Sequence, residues 1–149
     1  MIEVDVSGPA VPRLPRREIV RFVSEVFRAL SRRVPAARAI GSVSIALVDD
    51  AAMAALNDRF RHKHKTTDVL TFPAGDEDAE PGSKQPLGDI VVSLPQARRQ
   101  SADERHSLPT ELRYLILQGI IHALGYDHED DHGEMDALEL KIRARLGLR

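Results

Sequence analysis

Gln118, His122 and His128, punctuated by Gly125, are the side chains whose types and spacing suit metal chemistry. Residues 112–117 ahead of them are mostly apolar and favour a helix. At ~3.6 residues per turn, positions four apart diverge by only ~40°, so Gln118 and His122 share a face. His128 follows six positions after His122, and a continued helix would aim it roughly 240° away. Gly125 removes the conflict, because glycine readily takes the left-handed conformation that ends a helix and turns the chain back. The pattern predicts that His128 returns opposite the face carrying Gln118 and His122. Zinc held by His122 and His128, with a third ligand and water, fits such a donor set. The plainer reading makes both histidines ordinary helix-end residues.

The spacing Gln118, His122, Gly125, His128 resembles the metzincin pattern H-E-x-x-H-x-x-G-x-x-H with two departures. Gly119 stands where a metalloprotease carries its general-base glutamate, so no carboxylate there can take a proton from water. Gln118 stands where the first histidine would be. Its amide oxygen can face a metal, but it is neutral and harder than imidazole, which weakens a zinc site. His132, four residues past His128, is the alternative third ligand. Its other reading is an exposed histidine in the acidic stretch before the last helix. Asp127 suits either a hydrogen bond to a ligand imidazole or a turn cap. Tyr126 reads as a packing residue.

The segment from Gly119 through His122, Gly125, Tyr126, Asp127 and His128 resembles the signature of the YbeY family, bacterial single-strand endoribonucleases of rRNA maturation. Further blocks resemble the family in order and spacing: Leu56-Asn57 with Phe60-Arg61, then Thr67-Asp68-Val69-Leu70-Thr71-Phe72-Pro73, then Leu87-Gly88-Asp89-Ile90-Val91-Val92-Ser93, and last Glu134-Met135-Asp136-Ala137-Leu138-Glu139. The resemblance spans about residues 44–146. The family's first histidine, a metal ligand there, is Gln118 here.

The resemblance implies zinc-dependent hydrolysis of phosphodiesters in single-stranded RNA, an rRNA precursor as substrate, and contact with the ribosomal subunit or its proteins during ribosome biogenesis. It also singles out Arg61 as a functional position. An arginine there would pair with a phosphate through its planar fork and stabilise charge that grows in the transition state. Arg59, Lys63 and Lys65 flank it in a basic run and would attract RNA rather than orient it. Acids gather elsewhere, at Asp76-Glu77-Asp78 and Glu129-Asp130-Asp131. Two other classes compete. One is a metal-free assembly factor that binds RNA or the ribosome without cutting, favoured by Gln118. The other is a metallohydrolase of a different substrate, which Gly119 disfavours.

Composition frames these readings. A chain of 149 residues, 30% charged and with net charge −2, matches one globular domain and is a poor global footprint for a nucleic-acid binder. It contains no cysteine, which removes disulfides and thiolate sites. The start lacks a signal-peptide pattern and no apolar run approaches ~20 residues, so a cytoplasmic protein without a membrane span is expected.

The elements that must position the chemistry read as α+β. Strands are expected at residues 2–6, 42–48, 68–72 and 89–94, and helices at 16–33, from a cap at Asp49 or Asp50 through Ala54 to about 60, and at 96–102, 110–124 and 134–146. Residues 74–86 read as a mobile surface loop. The expected fold is a single domain over residues 1–149, with a small, mostly four-stranded mixed sheet, about five helices and the metal motif on a central helix. Periodicity assigns the core to Val23, Phe27, Val43, Ile45, Leu47, Val69, Leu70, Ile90, Val92, Leu115, Ile116, Ile120, Leu138 and Ile142.

Overall fold

A computed structural model describes residues 2–59, 69–73, 83–126 and 132–148. Its strands are β1 (Glu3–Ser7), β2 (Ile40–Val48), β3 (Val69–Pro73) and β4 (Gln85–Ser93). Its helices are α1 (Arg16–Ser31), α2 (Asp50–Arg59), α3 (Leu94–Asp103), α4 (Leu108–Ala123) and α5 (Glu134–Leu146), with a 3-10 turn at Pro35–Ala39. The strands form one mixed sheet in the order β1-β2-β4-β3. β1, β2 and β4 run parallel, and β3 is antiparallel to β4. The α+β architecture expected from the sequence is the one observed.

Alternation along the strands gives the sheet two covered faces. Ile90 and Val92 of β4 join Ile45, Leu47 and Val43 of β2 in the main core, with α1, α4 and α5 supplying Val23, Phe27, Ile116, Ile120, Leu138 and Ile142. Val91, between them, joins Met53 of α2 and Leu70 of β3 in a smaller cluster. Every residue assigned to the core by periodicity is buried except Val69, which packs partly buried against it. α4 is the most enclosed helix, with nine of its residues buried.

Two differences from the sequence reading have physical causes. β4 begins at Gln85, so Gln85 and Pro86 belong to a strand and not to the expected loop. Proline lacks the N–H that a sheet ladder uses, and it is tolerated here where the β2–β4 register shifts around Ser42. α4 starts two residues early because Ser107 accepts from the Thr110 backbone N–H at 3.2 Å and Pro109 fits the first turn. The expected loop's residues 74–82 lie outside the described residues. Among the described residues, no helix is long and apolar enough to cross a membrane.

Candidate metal centre and its surroundings

Gln118 and His122 sit on consecutive turns of α4, and both are half-buried, while 119–121 between them are fully buried. The helix is thus committed to the core on three sides and carries these two half-buried donors on the remaining one. Gly119 explains how closely α4 lies on the sheet. A Cβ at that position would stand 2.7 Å from Ile90 Cγ2, so the residue faces β4 and not the donors' side. A carboxylate base could not be accommodated there, and the peptide-hydrolase reading loses its catalytic group.

The end of α4 has the geometry that the spacing required. Gly125 has φ +108°. The Tyr126 N–H bonds to Ile121 O at 3.4 Å and the Gly125 N–H to His122 O at 3.0 Å. This pair of bonds is a Schellman closure, with the glycine in the left-handed position that reverses the chain. Tyr126 then packs, partly buried, against the main core. Asp127 and His128 lie outside the described residues, as do Arg61, Lys63 and Lys65. Arg59 ends α2, with its side chain outside the described set.

The elements leading to those positions are well anchored. α2 runs into residues 60–68, and its first turn is held twice. Asp49 Oδ1 accepts from the Ala52 N–H at 2.8 Å. Asp50 Oδ1 accepts from the buried Ser93 hydroxyl at the end of β4 and from Arg99 of α3, both at 3.2 Å. On the far side, His132 is exposed in a bend before α5, and its backbone N–H donates to the Glu134 carboxylate.

A different donor group, which the sequence reading missed, lies at the start of α4. Glu104, His106 and Glu111 bring ligand-type atoms within 4.8 Å of one another. Glu111 is 3% exposed. His106 Nε2 lies 2.5 Å from Glu111 Oε1, and its ring meets the Tyr114 ring edge-on at 5.3 Å. On the other side of Tyr114, the Arg143 guanidinium of α5 stacks at 4.0 Å from the ring centroid. Two ligands of one tetrahedral zinc, with bonds of ~2.0–2.1 Å, stand ~3.3 Å apart. At 2.5 Å the His106–Glu111 contact is a hydrogen bond, and an ion could use this set only after that bond opened. The one sequence signal was a glutamate in the first turn of a largely apolar helix, five residues after a histidine.

Residues 11–147 match the family model described as Endoribonuclease YbeY. Curated relatives carry the same description. One from Nautilia profundicola is 45% identical over 106 residues, covering 71% of this chain and 73% of its own length. One from Moorella thermoacetica is 40% identical over 139 residues, covering 84% and 89%. The solution structure of TM1509 from Thermotoga maritima aligns over 99% of this chain and 90% of its own, with TM-score 0.59 and 26% identity.

Proposed function

Because this chain belongs to the YbeY family and is therefore an endoribonuclease, a hydrolase of phosphodiester bonds, we propose that it is zinc-dependent and cuts single-stranded RNA in rRNA maturation. The observation that carries the reading is the half-buried face of α4, where Gln118 and His122 stand one turn apart ahead of a left-handed Gly125. The donor chemistry fits: a neutral imidazole and an amide oxygen on one face, with His128 three residues past the turn. Zinc bound there supplies Lewis acidity and lowers the pKa of water.

The chain's own residues do the rest. His122 and His128 hold the ion, and Gln118 or His132 completes the set. Asp127 orients a ligand imidazole through its other ring nitrogen. Arg61 grips the scissile phosphate with two parallel N–H bonds and stabilises its growing charge. Arg59, Lys63 and Lys65 draw the strand in. A cysteine-free chain suits a reducing cytoplasm, where an rRNA precursor and the ribosomal subunit are met.

Arg61→Lys tests this. It keeps the charge and removes the fork. Single-turnover cleavage of a single-stranded RNA should fall ~10²-fold or more while binding changes little. Equal losses in both would make Arg61 a docking residue. Gln118 supports a second reading, an assembly factor that binds RNA without cutting. RNA binding with no cleavage when zinc is supplied would select it.

A further inference from the structure

We propose that a basic cleft at the other end of the sheet holds backbone phosphates of the same RNA, upstream or downstream of the cut. This rests on the endoribonuclease reading and adds a substrate-binding surface to it. The cleft has a volume of about 570 Å³ and lies where β1, β2, α1 and the residue before β4 converge. Its cations are Arg28 of α1, Arg38 of the 3-10 turn and Lys84, and its one acid is Glu3. Arg28 also lines an adjoining depression of about 250 Å³ with Arg32 and Arg145. The acid there, Glu25, already faces Arg21 at 3.5 Å. Three cations therefore line the cleft, and two more line a second depression that shares Arg28 with it, in a chain whose net charge is −2.

Local packing holds these cations together against their mutual repulsion. Lys84 Nζ donates to the Arg38 carbonyl, across 46 residues of sequence. Arg38 Nε donates to Ser31 O at 2.7 Å. These bonds occupy only Nε of the Arg38 guanidinium among the described residues. Gly41 lets Lys84 approach, since a Cβ at 41 would meet Lys84 Cβ at 2.7 Å. These cations are exposed, and clustered exposed cations attract a multiply charged anion, while an open cleft suits a phosphate chain better than a small ligand.

The distance to α4 fits one RNA strand. Lys84 precedes Ile90 by six residues of β4, and Ile90 lies under Gly119, next to Gln118. Six residues at ~3.3 Å each give about 20 Å. At ~3.4 Å per stacked nucleotide, that is roughly six nucleotides. An oligonucleotide of about three or four would fill the cutting site without reaching the cleft, and one of about twenty would occupy both.

The experiment combines Arg28→Gln, Arg38→Gln and Lys84→Gln in one full-length protein and compares single-stranded RNAs of these two lengths. Binding of the long RNA should weaken ~10-fold or more. Its log–log salt slope should shrink by about 2, from three phosphate contacts at ~0.7 each. Binding and cleavage of the short RNA should stay unchanged. Glu3→Gln should move the other way and tighten the long RNA alone, a gain that misfolding cannot imitate. Unchanged long-RNA affinity and slope in the triple variant would overturn the cleft. So would equal losses on both lengths, or a Glu3→Gln variant that binds no tighter. A parent protein that cuts neither RNA would refute the nuclease reading, while the binding titrations would still decide the cleft.

Discussion

At the start of α4, a histidine and a glutamate answer each other at 2.5 Å, walled in by Tyr114 and, beyond it, Arg143. About two and three turns past Glu111, Gln118 and His122 lie half-buried on one side, next to a glycine turn where, among the described residues, nothing stands within 4 Å of a Cβ position. Both regions bring metal-ligand side chain types to α4, the first with only Glu111 on the helix itself. The first closes its donors on one another beside the Ser107 cap that starts α4. The second keeps its donors half-buried, one turn apart on one side of the helix. A cluster of ligand types is thus a weak sign of a metal. At the start of α4 the ligand-type atoms already satisfy each other at hydrogen-bond distance, which is what a structural pair does.

The comparison breaks most sharply at His122. His122→Ala should cut zinc stoichiometry to near zero and lower cleavage by ~10²-fold or more, the scale on which loss of electrostatic stabilisation acts. The melting temperature without zinc should move little, because the side chain is half-buried and outside the core cluster. Full zinc content in this variant would mean that this face of α4 is not the site.

His106→Ala should show the reverse pattern. It removes a hydrogen bond to the buried Glu111 carboxylate, an interaction worth about 1.5–3 kcal/mol when one partner is charged. For a chain of this size, that lowers the melting temperature by roughly 3–12 °C. Zinc content and cleavage by the folded fraction should be unchanged. If zinc content drops instead, with stability kept, the start of α4 holds an ion and the contrast between the two ends is wrong.

The two ends were also unequally legible in the sequence. The end at Gly125 was legible because its determinants are local: helical spacing puts Gln118 and His122 on one face, and a glycine three residues later ends the helix. The same locality made the core readable, since period-two and period-3.6 patterns are properties of neighbours. The closed end was not legible. His106 and Glu111 find each other through the turn from α3 into α4, and Tyr114 meets Arg143 only because α5 packs there. The pairing of Lys84 with Arg38 is the same case across 46 residues. Pro86 misled for another reason. A proline signals a strand boundary, and only the irregular β2–β4 register shows why β4 continues through it.

The smallest effect and the finest test concerns Gln118, the position where the Gly125 end departs from the family's histidine. Gln118→His places a second imidazole one turn before His122, on a side where the helix is not fully buried. The substitution therefore needs no repacking of the core, and stability without zinc should hold within about 0.5 kcal/mol, as for other changes away from packed positions. Imidazole is a better zinc donor than a neutral amide oxygen, so zinc affinity should rise roughly 10-fold or more, at least the effect that groups beyond the direct ligands can have. Affinity is read by competition with a chelator of known strength. A rise shows that position 118 faces the ion and that glutamine is the weak point of the set. An unchanged affinity shows that another residue already fills the place. His132→Ala then decides, since only a site completed by His132 would lose its zinc.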